Sequence, residues 1–166
     1  MEFRVGLGHD LHRLQAGREF VLGGVKIENP VGPIGHSDAD VLLHALVDAL
    51  LGAAGLGDIG EWFPDTDPKF AGADSTSLLS EALDEVRRRG WQVVNLDCTI
   101  FAERPKLTPH KPTIRRRLAE LMEIAAESVN VKAKSGEKVG PIGRGEAIAA
   151  DVVVLLSRDE NSGNRN

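Results

Sequence analysis

The chain has 166 residues, of which 42% are hydrophobic and 27% charged, and these values are ordinary for one globular domain. Its net charge of −5 works against general attraction to nucleic acid or to an acidic membrane surface. The apolar runs are far shorter than a membrane-spanning helix needs. We therefore predict no nucleic-acid partner and no membrane partner, and we expect any phosphate to be bound by a local cluster of residues.

Cys98 is the one cysteine of the sequence, so no disulfide can form within the chain. That usage fits a reducing compartment, and we predict a cytoplasmic protein. Residues 1–157 are predicted to form a single domain. The remaining segment, residues 158–166, is polar and is expected to be a disordered tail.

The first half of the chain predicts, in order, a strand, a hairpin, a loop, a helix and a long loop. The hairpin signal is the Gly23-Gly24 pair between two short apolar runs, and the helix signal is Ser37, a residue type that favours the N-cap. The predicted ranges are 3–7 for the strand, 19–27 for the hairpin, 29–35 for the loop, 37–54 for the helix and 55–73 for the long loop. A loop of that length is usually functional or mobile.

The second half predicts a helix, a strand, a helix and two further strands. The first helix begins at Asp74 or Ser75 and ends at Gly90, and Thr108-Pro109 opens the next one, whose buried stripe reaches Ala125. Alternation over residues 91–102 is typical of a half-buried strand. Its two faces are an apolar one with Val94, Leu96, Cys98 and Ile100 and a polar one with Asn95, Asp97 and Thr99. The last strands are predicted over residues 131–134 and 147–156.

This order of elements predicts an α+β fold, namely a single domain with one mixed sheet covered on one face by helices. Helices with one apolar stripe need such a sheet to bury it. We expect the other sheet face, which carries Asn95, Asp97 and Thr99, to pack against a sister subunit.

Asp10 and His12 lie two residues apart where the first strand ends, so their side chains point to the same face. His44 lies on an otherwise apolar helix face, with Asp40 and Asp48 four residues before and after it. One carboxylate and two imidazoles suit a divalent ion such as zinc and leave a coordination position open for substrate. We predict a catalytic metal there, with the flanking carboxylates orienting the His44 imidazole. The alternative is a turn aspartate with ordinary surface or core histidines.

Two polar clusters lie at a helix start and in tight turns. His36, Ser37 and Asp38 lie at the N-terminus of the first predicted helix, where backbone N–H groups bind anions, although simple capping explains Ser37 and Asp38 fully. Residues 57–60 and 63–68 are equally well explained as tight turns. Within them, Asp58 is the candidate acceptor for ribose hydroxyls.

Two further loops carry cations. In residues 102–107, backbone amides and Lys106 are candidates for holding a base and phosphates, and the alternative is a plain basic loop. Lys134, Ser135 and Glu137 combine a cation, a hydroxyl and a carboxylate, a set that suits a diphosphate bridged by a second metal ion on Glu137. The glycines around Arg144 permit a close approach of the backbone.

From the residues alone, the sequence predicts a metal-dependent enzyme that acts on a phosphorylated, nucleotide-linked substrate. A zinc-dependent phosphohydrolase fits the same residues, and a non-catalytic metal-binding module also stays open. A module of that kind has no need for His36, Lys134 and Glu137.

The chain resembles the 2-C-methyl-D-erythritol 2,4-cyclodiphosphate synthase family of non-mevalonate isoprenoid biosynthesis in GLGHDLHRL, HSDADVLLHALVDALLGAAGLGDIG, FPDTDP, GADS, VNVKAKSGEK and GRGEAIA. These segments span nearly the whole chain in the family order. The resemblance implies a homotrimer with active sites between subunits, zinc on Asp10, His12 and His44, and magnesium or manganese at Glu137. It implies a phosphorus–oxygen lyase that converts 4-diphosphocytidyl-2-C-methyl-D-erythritol 2-phosphate to the cyclic diphosphate and CMP.

The resemblance also implies the substrate contacts. His36 and Ser135 are expected to act in catalysis, by steadying the transition state as the 2-phosphate attacks the β-phosphorus. The other contacts are expected from Asp10, His12, Ser37, Asp58, Ile59, Gly60, Phe63, Pro64, Asp65, Thr66, Asp67, Ala102, Lys106, Leu107, Thr108, Lys134, Gly136, Glu137 and Arg144.

The chain departs from the family pattern at two places. Lys134 and Ser135 stand where some members have two threonines, so one hydroxyl is kept and one is replaced by a charge. Pro141 stands where some members have phenylalanine near the trimer axis. Arg144 and Glu146 are retained in that region, so the sequence leaves open whether a central cavity of the trimer binds an isoprenoid phosphate.

Overall fold

Seven β-strands and five α-helices make up the part of the chain that the computed structural model describes, residues 1–159. The strands are β1 (Glu2–Ala16), β2 (Phe20–Leu22), β3 (Val25–Ile27), β4 (Val31–Pro33), β5 (Gln92–Phe101), β6 (Val129–Lys134) and β7 (Ala147–Arg158). The helices are α1 (Val41–Ala54), α2 (Ile59–Trp62), α3 (Ser75–Arg88), α4 (Lys111–Met122) and α5 (Gly140–Gly143). Short 3₁₀ turns lie at Pro68–Phe70 and Ala126–Ser128. Within residues 1–159, no helix is long and apolar enough to cross a membrane.

Five of the strands form one mixed sheet in the order β4-β1-β7-β5-β6. The β5–β6 pair is parallel, whereas β1 pairs antiparallel with β4 and β7, and β5 pairs antiparallel with β7. Strands β2 and β3 form the hairpin predicted around the glycine pair. The α+β class and the mixed sheet are therefore confirmed, and the hairpin adds a second, two-stranded sheet to the one predicted.

Helix α1 lies against β1 and β7, and two glycines of β1 make this contact close. A Cβ atom at Gly6 would lie 1.9 Å from the carbonyl oxygen of Ala49, and one at Gly8 would lie 1.8 Å from that of Ala45. Only glycine fits at such distances, so these two positions fix how near the helix backbone comes to the strand. The same face of β1 continues with Asp10, which is thereby brought close to α1.

Helix α1 begins with Asp40 as its N-cap, and this carboxylate is fully buried. It accepts four backbone hydrogen bonds of 2.7–3.2 Å, two from the first helical turn and two from the β2–β3 hairpin. The donors are the N–H groups of Leu42, Leu43, Gly23 and Gly24. One side chain therefore satisfies the helix start and holds the hairpin against it. The prediction of Ser37 as the N-cap is wrong, because the helix starts only at Val41.

Several predicted bounds differ from those observed. Strand β1 continues well past residue 7, because its pairing with β7 extends to Arg13. Residues 31–33 of the predicted loop form edge strand β4, and the predicted loop 55–73 contains α2 and a 3₁₀ turn. Helix α4 begins at Lys111 and not at Thr108-Pro109, and it ends before Ala125. Strand β7 includes Arg158, which was predicted to lie in the tail, and residues 160–166 of that tail lie outside the described residues.

The predicted alternation holds over most of β5. Leu96, Cys98 and Ile100 are buried, but Val94 is 38% exposed. The pairing of β5 with β7 shifts between Val93 and Asn95, and a bulge of this kind takes one residue out of the alternation. The prediction of Val94 as a core residue is therefore wrong.

The sheet face opposite α1, the open face, is more apolar than predicted. Phe3, Val5 and Leu7 of β1 are 55%, 68% and 69% exposed, and Val153 of β7 is 41% exposed. In the β1–β7 register, Val5 lies opposite Leu155 and Leu7 lies opposite Val153. The polar residues predicted for this face lie on β5, and beside them Phe3, Val5, Leu7 and Val153 present an apolar surface that ends at the exposed His9–Asp151 pair. Such a surface is typical of a protein interface.

Candidate metal centre and substrate cleft

One carboxylate and two imidazoles from β1 and α1 converge on one point. The Asp10 Oδ2 atom lies 2.8 Å from His12 Nε2 and 3.0 Å from His44 Nδ1, and the two nitrogens are 3.1 Å apart. In the described part of the chain, this is the one group of His, Cys, Asp or Glu side chains that is close enough to hold a metal ion with three ligands. The structure thus brings together the three ligands that the sequence predicts.

The donor set fits a divalent ion such as zinc. His12 Nδ1 lies 2.9 Å from the carbonyl oxygen of Ile34, which can only accept, so Nδ1 carries the proton and Nε2 turns its lone pair toward the centre. In a tetrahedral zinc site with bonds of about 2.0–2.1 Å, neighbouring ligand atoms are roughly 3.3 Å apart, which is close to the separations in this centre. Three protein ligands leave a fourth position for water or a substrate oxygen, the pattern of a catalytic metal site.

The charges of the three groups are coupled. Burial by itself would raise the pKa of Asp10, but the hydrogen bonds and charges of His12 and His44 outweigh it and hold that pKa well below its usual range. Burial also opposes the charged form of His12, yet the Asp10 carboxylate overcomes this and raises the pKa of His12 above its ordinary value of 6.5. At a pH below this raised pKa, a proton on His12 Nε2 therefore competes with a metal ion for the same lone pair.

The outer nitrogen of His44 faces hydroxyl groups and not the carboxylates predicted for it. His44 Nε2 lies 2.9 Å from Ser75 Oγ and 3.0 Å from Ser37 Oγ. Asp40 holds the hairpin, and Asp48 accepts a hydrogen bond of 2.7 Å from the first N–H of α2. The prediction that Asp40 and Asp48 orient the imidazole is wrong, because both side chains bind backbone groups elsewhere.

A cleft of about 350 Å³ opens from the metal centre. Besides the three ligands, it is lined by Gly35, His36, Ser37, Ile59, Gly60, Phe63, Asp65, Phe70 and Leu78. The rings of Phe63 and Phe70 meet edge to face with their centroids 5.3 Å apart and form an apolar wall. The predicted contact residues His36, Ser37, Ile59, Gly60, Phe63 and Asp65 thus share one cleft with the metal ligands.

Other predicted contacts of the same region lie beside the cleft. Asp58 caps α2, with its Oδ1 atom accepting from the N–H of Glu61 at 2.9 Å, and Asp67 caps the next 3₁₀ turn through a bond of 2.9 Å to a backbone N–H. Pro64 and Thr66 belong to the loop between these caps and are not part of the lining. The Oδ2 atom of Asp58 takes no part in its cap, and it stays the predicted acceptor for ribose hydroxyls.

A second group of predicted contacts meets where the parallel strands β5 and β6 end. The Ala102 N–H donates to the Lys134 carbonyl at 3.0 Å, and the Gly136 N–H donates to the Glu103 carboxylate at 3.1 Å. Parallel neighbours end at the same edge of a sheet, so the two following loops lie side by side. These are the β5 loop, residues 102–108, and the β6 loop, residues 134–138.

The two loops expose polar groups in different ways. In the β6 loop, the Ser135 hydroxyl donates to Glu137 Oε1 at 3.2 Å, and Lys134 is exposed next to them. In the β5 loop, Lys106 and Thr108 are exposed, but Ala102 and Leu107 are buried in the hydrophobic core. Because these two side chains are buried, Ala102 and Leu107 can contact a substrate only through their backbone groups.

Within one chain, these loops do not reach the metal centre. The strand registers place Asp10 level with Ala150, Ile100 and Ala133 across β1, β7, β5 and β6. Three strand spacings separate β1 from β6, which is roughly 14 Å. Among residues 1–159, no residue of either loop lines the cleft. The predicted contacts thus lie in two separate groups, the metal cleft and the pair of loops, which we call the candidate half-sites.

Arg144, the last of the predicted contacts, lies beside the loops and away from the cleft. It lines a shallow cavity of about 500 Å³ together with Glu103, Arg104 and Lys138. Its side chain forms an exposed ion pair with Glu146, with Nε 2.8 Å from Oε1, and the Arg144 guanidinium lowers the pKa of Glu146. A phosphate that binds Arg144 must therefore compete with this carboxylate.

Three side chains near these sites have roles that the sequence did not indicate. Ser75 reaches His44 from the start of α3, Asp38 binds Ser75, and Glu103 joins the β5 loop to the β6 loop. Each contact links residues more than thirty positions apart, so no local spacing indicates it.

A sequence model of the YgbB family matches residues 3–157, so the chain belongs to the YgbB family. The chain is 58% identical over 156 residues to the 2-C-methyl-D-erythritol 2,4-cyclodiphosphate synthase of Bordetella avium, and the match covers 94% of this chain and 96% of that protein.

Solved structures give the same relationship. One is a CDP-bound form of 2C-methyl-D-erythritol-2,4-cyclodiphosphate synthase, with 41% identity, a TM-score of 0.86 and coverage of 93% of this chain and 100% of that one. Another is the CDP complex of IspF from Plasmodium falciparum, with 32% identity, a TM-score of 0.84 and coverage of 95% and 97%. Both fold and sequence therefore place the chain among these synthases.

Proposed function

We propose that this chain converts 4-diphosphocytidyl-2-C-methyl-D-erythritol 2-phosphate to 2-C-methyl-D-erythritol 2,4-cyclodiphosphate with release of CMP. The observation that carries the proposal is the Asp10–His12–His44 centre at the mouth of a cleft in a member of the YgbB family. The relative from Bordetella avium bears the name of this synthase, and two solved relatives are described as CDP-bound.

The proposed reaction is a phosphoryl transfer within one molecule. An oxygen of the 2-phosphate forms a bond to the β-phosphorus, the bond from the β-phosphorus to the bridging oxygen breaks, and CMP leaves with that electron pair. A phosphate nucleophile is already anionic at neutral pH, so the chain need not supply a general base. Its task is to fold a flexible polyanion back on itself and to neutralise charge, as in other phosphoryl transfers.

Residues of both half-sites are assigned to positioning the substrate and neutralising its charge. Zinc held by the three ligand residues would supply Lewis-acid polarisation of phosphate oxygens, and magnesium or manganese at Glu137 would neutralise the diphosphate. His36 lines the cleft, is exposed, and makes no side-chain hydrogen bond within residues 1–159, so its imidazole is available to a phosphate. Ser135 and Lys134 offer a hydroxyl and a charge from the β6 loop.

We assign the cytosine base of the substrate to the β5 loop. Its backbone groups next to Ala102 and Leu107 are held in place by the core, which favours recognition of the base edge by backbone atoms. Lys106 adds a charge for the phosphates. The ribose is assigned to Asp58 Oδ2 beside the cleft and to the backbone of Gly60, which lines it.

The separation of the half-sites supports a homotrimer in which the cleft of one chain faces the loops of its neighbour. The open face supplies the contact surface, because Val5 and Leu7 leave more than two thirds of their surface exposed in the single chain and apolar surface of this extent favours burial. A cyclic arrangement of identical chains pairs different surfaces of each subunit and closes. We place the reaction in the cytoplasm, where the Cys98 thiol stays reduced.

The proposal is tested by incubating the protein with the cytidyl substrate, zinc and magnesium and following the products by phosphorus NMR. The expected result is CMP together with a cyclic diphosphate in equal amounts. The alternative function, a zinc-dependent phosphohydrolase, gives an uncyclised phosphate product, and a metal-binding module gives no turnover. Either outcome overturns the proposal.

A further inference from the structure

We infer that Asp38 and Ser75 form a hydrogen-bond relay that positions the metal ligand His44, and that both are positioning residues for zinc binding. This inference rests on the proposed function for its metal. Neither side chain lines the substrate cleft. Both lie behind His44, on the side of its imidazole that faces away from the metal centre.

The relay runs from the metal centre to the start of α3. His44 Nε2 lies 2.9 Å from Ser75 Oγ, and the Ser75 hydroxyl makes a short hydrogen bond to Asp38 Oδ1. The other carboxylate oxygen of Asp38 accepts from the backbone N–H of Ser75 at 3.1 Å. Ser75 is fully buried, so water cannot replace either of its partners without a change of structure.

The chemistry of these groups gives the relay one direction. A carboxylate only accepts hydrogen bonds, so the Ser75 hydroxyl must donate to Asp38 and has its lone pairs left for His44. His44 Nε2 must then carry the proton and donate a hydrogen bond to Ser75 Oγ. A neutral imidazole with its proton on Nε2 has a free lone pair on Nδ1, the atom that faces Asp10 at 3.0 Å. Asp38 therefore selects the tautomer of His44 that can bind a metal.

Ser37 cannot give this selection by itself. Its hydroxyl also lies 3.0 Å from His44 Nε2 and accepts a bond of 3.2 Å from the N–H of Ala39, but the structure shows no carboxylate bound to it in residues 1–159. The Ser37 hydroxyl also lies 3.5 Å from Ser75 Oγ, so it can turn to donate either to Ser75 or to Nε2, and donation to Nε2 would favour the wrong tautomer. Ser37 therefore shares the contact with His44, while Ser75 sets its direction.

The test is a zinc affinity measured by competition with a fluorescent chelator on the apo forms of four proteins. They are the wild type, Asp38→Asn, Ser75→Ala and the double variant. Outer partners of metal-binding histidines are worth about 10- to 100-fold in affinity, so each single variant should lose about tenfold or more. An asparagine cannot accept at both of its side-chain atoms, although it keeps the shape of Asp38. Because the relay is in series, the double variant should lose little more than Ser75→Ala.

Asp74→Asn is the matched control. Asp74 is the N-cap of the same helix and binds the N–H of Thr76 at 2.8 Å, but it has no contact with His44 in the described structure. Asparagine caps a helix about as well as aspartate, so this variant should change thermal stability little and leave zinc affinity within about threefold. The absorption spectrum of the cobalt-substituted proteins gives a second readout, which should change for Asp38→Asn and Ser75→Ala only.

The outcomes separate this inference from the proposed function. The relay is refuted if wild type binds zinc and both relay variants bind it with the same affinity. It is also refuted if the relay variants lose no more zinc affinity than the Asp74→Asn control loses. In both cases the proposed metal site is retained. Additive losses in the double variant also refute it, because independent contacts add. If wild type binds no divalent metal, the inference and the metal-dependent function fail together.

Discussion

A lysine in place of Val5 should disrupt the proposed trimer. Val5 is 68% exposed in the single chain, and full burial of a valine gains about 1.5–3 kcal/mol. Covering the exposed part therefore contributes about 1–2 kcal/mol per chain and about 3–6 kcal/mol per trimer. Its loss weakens assembly by a factor of about 10² to 10⁴, before repulsion among three ammonium groups is counted.

The assay is light scattering behind a sizing column at micromolar concentration. Wild type should have the mass of three chains, and Val5→Lys should have the mass of one with a folded circular-dichroism spectrum. Ser80→Lys adds the same charge on the exposed side of α3 and should stay trimeric. A trimeric Val5→Lys protein, or a monomeric wild type, would refute the assignment of the open face as the subunit interface.

Three further predictions follow from the site and its supports. Gly8→Ala places a Cβ 1.8 Å from the Ala45 carbonyl oxygen, so it should lower the free energy of unfolding by about 1–3 kcal/mol or more and weaken zinc binding. Gly52→Ala, which has open space around it, should instead stabilise α1 by about 0.5–1 kcal/mol. Thermal or urea unfolding measures both effects. Zinc affinity should fall as pH drops through the pKa of His12, which Asp10 raises above 6.5; a pH-independent affinity between 5 and 8, measured by calorimetry, would contradict the ligand assignment. Ser135→Ala should lower kcat more than it raises KM, because its hydroxyl is assigned to the transition state, and unchanged steady-state kinetics would remove Ser135 from the mechanism.

The sequence was sufficient to predict the cluster of Asp10, His12 and His44 because its signals are local. Asp10 and His12 share a strand face by their spacing of two, and His44 is a polar residue on a helix face that is otherwise buried. What could not be predicted was the contact that brings the strand and the helix together. That contact depends on Gly6 and Gly8, whose role shows only when the helix backbone lies against them.

The errors have a common physical origin in long-range partners. Ser37 has the residue type of an N-cap, but the buried Asp40 binds the helix start and the hairpin at once, and its bonds to Gly23 and Gly24 come from a distant segment. The open face was predicted as polar from β5 alone, because nothing in the sequence shows that β1 and β7 are neighbours. Domain limits and the role of Arg144 stay predictions.

Mixing two inactive variants tests whether the metal cleft of one chain acts together with the β6 loop of another. His44→Ala lacks the metal half-site, and Glu137→Gln lacks the loop half-site. Each alone should release almost no CMP from the cytidyl substrate. After the two are unfolded, mixed in equal amounts and refolded, random assembly should restore about one quarter of wild-type sites, because a site needs an intact cleft and an intact loop from two different chains. Recovery of CMP release to that level supports shared sites, and a mixture as inactive as its components would contradict the account.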